Sequence, residues 1–160
     1  MSNIGKSGIP AFHAGSIKQP TKVYISVRFE RRNEMKAVSK KVQSIGYKDV
    51  SRWLVLEEGS RPSEAVLRER ANIDRDGVYS CDILVRFSDD LTPSKVPSYW
   101  CTASRFEETG MAEVLGKIII VVGGNQSLFD RLESRIHVAT KKELLFVLRK
   151  IQSLKLKRKR

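Results

Sequence analysis

The chain has 160 residues, 41% hydrophobic and 30% charged, with a formal net charge of +12. That suits one soluble globular domain with its own core. No apolar run approaches the roughly 20 residues that span a bilayer, the opening "MSNIGKSGIPAFHAGSIKQP" lacks the apolar stretch of a secretory signal, and two cysteines and two histidines are too few for a disulfide framework or zinc cluster. An intracellular, cytoplasmic protein without a cofactor or a membrane anchor is expected, and its charge points to anionic partners.

Residues 1–20, rich in Gly, Ser and Pro, read as a flexible arm. "TKVYISVRF" (21–29) has the composition of a buried strand. In "ERRNEMKAVSKKVQSIGY" (30–47), Met35, Val38, Val42 and Ile45 recur at three- and four-residue steps, one apolar helix face with lysines opposite and Gly46 as a stop. "DVSRWLVLE" (49–57) predicts a second strand. "PSEAVLRERANIDRDGVYS" (62–80) predicts a helix capped by Ser60 or Ser63, with Gly77 leaving its end open. "CDILVRF" (81–87) is a third strand, with Cys81 beside it as an inert core residue.

The polar stretch 88–104 carries two prolines, and a loop of that length inside a compact domain is more often functional than idle. A helix follows from about Phe106 to Leu115. "KIIIVVGG" (117–124) is a β-branched run typical of a strand covered on both faces. "RIHVAT" (135–140) is a shorter strand, and "TKKELLFVLRKIQSL" (140–154) opens on the capping-box pair Thr140 and Glu143. The domain then covers residues 21–154, and 155–160 form a basic tail with Lys155, Lys157, Arg158, Lys159 and Arg160. Such a tail is either a solvated extension or a nucleic-acid contact.

Alternating strands and helices predict an α/β domain: a doubly wound, parallel five-stranded sheet in the order 2-1-3-4-5 with helices on both faces. Ligands of such sheets sit beyond the carboxyl ends of the strands. This directs attention to the turn after the first strand, the loop after Phe87, and the helix start at Glu107–Gly110. A carboxylate at a helix start is favoured by the dipole and stays ionised unless buried, so Glu107 and Glu108 are either dipole partners or include a nucleophile for an electron-poor carbon such as an anomeric centre. Asp74, Asp76 and Asp82 supply a possible second acid, and two carboxylates in different environments can divide attack from proton transfer in glycosidic cleavage.

The ordered segments "KVYISVRF", "SRWL", "NIDRDGVYSCDILV" and "EETGMAEVLGKIIIVVGG" resemble the nucleoside 2-deoxyribosyltransferase-like family, which includes nucleoside 5'-monophosphate N-glycosidases. The likeness runs over roughly residues 22 to 153, and its signature falls on Glu108, Gly110, Ala112, Gly116 and Lys117. It implies that Glu108 is the nucleophile, that Asp74 assists base departure or binds the base, and that the Tyr24 hydroxyl positions the nucleophile. It also implies a nucleoside or nucleotide substrate and a homodimer or larger homo-oligomer.

Where the family often has glycines after the first strand, this chain has Ser26 and Arg28. Arg28, Arg31 or Arg32 then either binds phosphate through its side chain or is solvated. Ser104 and Arg105 precede the nucleophile as possible phosphate or ribose contacts, with an N-cap as the other role of Ser104. Trp53 either stacks on a base or lies in the core. Asp89, Asp90, Tyr99 and Trp100 are available to cover the site. The expected function is cleavage or base exchange at an N-glycosidic bond through a glycosyl-glutamate intermediate. The alternatives are a non-catalytic nucleotide- or nucleic-acid-binding module and an NAD glycohydrolase.

Overall fold

A computed structural model describes residues 20–55, 63–88, 103–124 and 128–157. The N-terminal arm up to residue 19, the loop residues Asp89, Asp90, Tyr99 and Trp100, and residues 158–160 lie outside that set. Five strands, β1 (Lys22–Ser26), β2 (Lys48–Asp49), β3 (Ile83–Phe87), β4 (Ile118–Val122) and β5 (Arg135–Val138), form one sheet. Its order is β2-β1-β3-β4-β5 and every pairing is parallel, as the alternating pattern predicts. Four helices connect and cover them: α1 (Arg32–Ser44), α2 (Glu64–Ser80), α3 (Ala103–Val114) and α4 (Lys141–Lys157).

The middle strands are buried on both faces. Val23, Ile25, Ile83, Leu84, Val85, Ile120 and Val121 are wholly inaccessible, each contributing about 1.5–3 kcal/mol of transfer free energy. Met35, Val38 and Val42 seat α1 on one face of the sheet, and Leu144, Leu148 and Ile151 seat α4 beside it. The Tyr47 hydroxyl donates to the Leu148 carbonyl at 2.7 Å, and a Glu34–Lys141 ion pair joins the starts of these two helices. The predicted stop at Gly46 is real: its φ of +90° ends α1, a left-handed conformation that only glycine adopts without cost. Ser63, not Ser60, is the N-cap of α2, its hydroxyl accepting from the Val66 amide. At α4 the Glu143 amide donates to Thr140 Oγ1, while the Glu143 carboxylate reaches back to the Ala139 amide.

Several boundaries differ from the sequence reading. The strand expected over 49–57 is only two residues long, and Arg52–Val55 is a 3₁₀ turn. The apolar run misleads because side chains take the place of the missing strand. Ser51 Oγ accepts from the Ile25 amide at 2.6 Å, and the Trp53 indole N–H donates to the Ile25 carbonyl at 2.8 Å. Both polar groups of Ile25 are thereby satisfied without a longer β2. Residues 29–31 form a 3₁₀ turn ahead of α1, and α4 runs three residues past 154, so Lys155 and Lys157 belong to a helix. Finally, α3 begins at Ala103, earlier than expected, which changes the setting of Glu108.

Candidate active site

Starting α3 at Ala103 places Glu108 on its second turn, beyond the free N–H groups that a helix start offers a carboxylate. Arg105, Glu108, Thr109 and Ala112 are all buried, whereas Glu107 is exposed. Their spacing of three and four residues makes one stripe against the sheet. Thr109 Oγ1 donates to the Arg105 carbonyl at 2.6 Å, and Arg105 Nη1 donates to the Phe87 carbonyl at 3.4 Å. Glu108 therefore lies on a core-facing stripe. The spacing carries that pattern, but two adjacent glutamates suit a helix start equally well and mask it.

Tyr24 and Ser26 alternate along β1 onto the same face of the sheet. Their hydroxyls hold the two oxygens of Glu108: Tyr24 donates to Oε1 at 2.8 Å and Ser26 donates to Oε2. Burial raises the Glu108 carboxyl to about 7, the nearby Asp74 adding to the rise, while the Ser26 and Tyr24 hydrogen bonds and the Arg105 charge pull it down. Glu108 thus meets the exception for a buried carboxylate, because the desolvation of this side chain outweighs its hydrogen bonds.

Asp74, on α2, interacts with the Tyr24 hydroxyl. Burial raises its carboxyl to about 6, opposed by the hydrogen bond with Tyr24 and the charge of Arg70. Its Oδ1 is buried without a hydrogen-bond partner among the described residues. The Tyr24 hydroxyl itself is held well above the ordinary phenol range, by burial first and then by the charges of Glu108 and Asp74. A phenol has one proton to donate, so a hydroxyl flanked by two carboxylates favours a state in which one of them carries a proton.

Gly77 makes this meeting possible. A Cβ there would stand 2.6 Å from Cε2 and 2.7 Å from Cδ2 of the Tyr24 ring. The glycine that left the end of α2 open in the sequence does not end the helix, which continues to Ser80. It lets α2 close onto the tyrosine.

Arg28 is half-buried at the head of the 3₁₀ turn, its carbonyl accepting from the Arg31 amide at 3.0 Å. Arg31 is held by both Glu34 oxygens, at 2.7 and 2.9 Å, and by the Ser88 carbonyl at 2.9 Å, so it ties the start of α1 to the end of β3. The Arg32 guanidinium lies over the Phe29 ring. Trp53 is buried with its indole committed to β1. Ser104 is exposed in the first turn of α3, and Gly110 is exposed, with nothing within 4 Å of where a Cβ would stand. Asp82 accepts from the Lys22 amide at 2.7 Å and fastens the start of β1.

Sequence reasoning missed a buried ionic cluster next to this site. Arg86, paired in register with Ser26, meets Asp130 at 2.5 Å. Asp130 also takes Arg135 at 2.9 Å, and Arg135 meets Glu113 at 3.4 Å. An arginine inside an otherwise apolar strand was the available signal. Among the described residues no group of three His, Cys, Asp or Glu side chains is placed to hold a metal ion.

No protein-family model and no curated protein sequence matches the chain. Solved structures do match. The Clostridium botulinum CMP N-glycosidase BcmB aligns at 17% identity and a TM-score of 0.51, over 80% of this chain and 98% of the other. This chain shares the fold of that structure. A 2-deoxyribosyltransferase from Bacillus psychrosaccharolyticus, described as a biocatalyst for nucleoside synthesis, aligns at 18% identity and a TM-score of 0.57, over 78% of this chain and 90% of the other. A conserved protein from Enterococcus faecalis V583 aligns at 13% identity and a TM-score of 0.60, over 82% and 98%. What this chain has in common with the three structures is the fold.

Proposed function

We propose that the chain cleaves, or exchanges the base of, an N-glycosidic bond in a nucleoside or nucleoside 5'-monophosphate. The observation that carries this reading is the grip on Glu108: a buried carboxylate whose oxygens are held by the Tyr24 and Ser26 hydroxyls, with Asp74 interacting with the same phenol. The fold shared with an N-glycosidase and a 2-deoxyribosyltransferase supports it. The two hydroxyls fix the rotamer of Glu108 and leave its carboxylate aimed by hydrogen bonds, the preorganisation a nucleophile needs.

In the first step a Glu108 oxygen attacks the anomeric carbon. The new C–O bond forms as the C–N bond breaks, and the base leaves with the bonding pair and a proton supplied by Asp74 or water. In the second step water, or a second base, attacks the same carbon, and Glu108 is released as a carboxylate. Two displacements retain configuration. The reading extends to Ser104, Arg28 and Gly110 as contacts of the sugar or phosphate, and to a homodimer or larger homo-oligomer.

Mass spectrometry of the protein incubated with a panel of nucleosides and monophosphates, with and without free base, tests this. Free base and a sugar adduct on the peptide containing Glu108 are expected. Glu108→Ala should lower turnover by at least about 10³-fold. Wild-type turnover in that variant would remove the assignment, and nicotinamide released from NAD in place of a nucleobase would move it to a dinucleotide substrate.

A further inference from the structure

The net charge is not spread evenly over the molecule. The two helices on the face away from Glu108, α1 and α4, carry ten Lys and Arg against two acids. On the active-site face, α2 and α3 carry four cations against seven acids. Both acids of the basic face are already engaged: Glu34 by Arg31 and Lys141, and Glu143 by the backbone at the head of α4. The helices lie side by side in the same direction. The Glu34–Lys141 pair marks their starts, and the contact of Gly46 with Gln152 lies near their ends. Lys36, Lys40 and Lys41 on α1 and Lys142, Arg149 and Lys150 on α4 are all exposed. They form a cationic slab about 20 Å long, the length of a helix of thirteen residues.

The slab also holds an aromatic ring. Phe146 is 55% exposed on α4. Lys142, Arg149 and Lys150 stand at its i−4, i+3 and i+4 positions, which places all four on one stripe. The Lys150 ammonium lies 4.7 Å from the ring centroid. An exposed ring costs hydrophobic free energy, and a ring framed by cations matches a strand of phosphates whose unpaired bases offer π-faces. A membrane surface would call for an apolar stripe bordered by lysines, whereas here cations occupy the middle of both helices.

We propose that the α1–α4 face docks a single-stranded nucleic acid. Lys36, Lys40, Lys41, Lys142, Arg149 and Lys150 meet its phosphates, and one base stacks on Phe146. This surface lies on the opposite side of the sheet from Glu108, so the proposal does not rest on the catalytic reading. It also differs from the idea of a binding tail, since the residues belong to ordered helices.

The test is fluorescence anisotropy of a labelled single-stranded oligonucleotide titrated with the full chain. Between about 50 and 300 mM KCl, the plot of log affinity against log salt should have a slope of roughly −2 to −4, the value for three to six phosphate contacts on a single strand. Phe146→Ala should weaken binding about 5- to 100-fold, the usual loss for one stacked base. The quadruple variant Lys36→Glu, Lys40→Glu, Lys142→Glu, Lys150→Glu should lose at least about 100-fold, with circular dichroism unchanged. The matching Lys→Gln set serves if the charge reversal unfolds the protein, and should lose at least about 10-fold. A chain ending at Lys157 should bind within a factor of about three of the intact one.

The proposal is overturned by any of four results: no binding at the lowest salt; wild-type affinity in the lysine variants; loss of binding on removing residues 158–160 alone; or tighter binding to a duplex or to phosphatidylserine vesicles than to the single strand. Unchanged affinity in Phe146→Ala would overturn the assignment to a single strand.

Discussion

Gly77→Ala introduces one methyl group at the point where α2 closes on Tyr24. In an ordinary helix interior this change stabilises by about 1 kcal/mol. Here the new carbon would lie 2.6 and 2.7 Å from two ring atoms of Tyr24 and 3.3 Å from the Val50 carbonyl oxygen, where carbon atoms rest at about 3.5–4.0 Å. The ring is 1% exposed and cannot swing out into solvent, so helix and ring must separate by roughly 1 Å. Overpacking of this kind costs about 1–3 kcal/mol. Gly110→Ala is the internal control, because it is also helical and nothing stands within 4 Å of its Cβ position. The two alanine variants should therefore differ by about 1–3 kcal/mol, or roughly 3–9 °C in Tm by calorimetry, with Gly77→Ala the less stable.

The same displacement reaches the site, since the Tyr24 hydroxyl is 2.8 Å from Glu108. Losing a hydrogen bond to a charged group, worth about 1.5–3 kcal/mol, should slow base release about 10- to 100-fold under the proposed mechanism. If both alanine variants raise Tm alike and Gly77→Ala turns over at the wild-type rate, the account of how Tyr24 is held is wrong.

Protonation of Glu108 links activity and stability to pH. Its carboxyl is raised from 4.5 to about 7, so its contribution to stability is complete below about 4.5 and is lost as pH rises through about 7. Glu108→Gln should accordingly stabilise the protein relative to wild type at pH 8, on the order of 3 kcal/mol, and the difference measured by urea unfolding should vanish near pH 4. An advantage that stays constant across this range would contradict the buried, raised carboxyl. With Asp74 raised to about 6 as proton donor, the active form needs Glu108 ionised and Asp74 protonated, so turnover should peak near about pH 6.5 and fall on both sides. A plateau from pH 7 to 9 would exclude Asp74 as the acid. Asp130→Ala removes the carboxylate shared by Arg86 and Arg135, both almost wholly buried, and should destabilise by about 3–5 kcal/mol. A chemical-denaturation loss under about 1 kcal/mol would show that water or other groups already serve these arginines.

Much of the fold was legible because its causes are local. Met35, Val38 and Val42 recur at helical spacing and do face the sheet, and the β-branched run at Ile118–Val122 is a strand buried on both sides. The second strand was not legible, because Trp53 and Leu54 are buried as a strand would be, yet from a turn. Only the hydrogen bonds of Ser51 and Trp53 to Ile25 reveal why β2 can stop early. At the site, Tyr24, Asp74 and Glu108 follow from a family resemblance. Their order along the chain carries no distance, and Ser26 stands out only as a departure from a glycine pattern.

The alternation of strands and helices along the chain, the helix faces and the charge of each segment follow from the amino-acid sequence alone, since periodicity and composition act over a few residues. What Glu108 does depended on tertiary structure. Its partners Tyr24 and Ser26 lie 84 and 82 residues away, and its proton affinity is governed by burial that exists only once α2 and α3 close over the sheet. Propensity sets which elements form, but a carboxylate's solvation and hydrogen bonds are properties of the space between elements, and that space is created by packing.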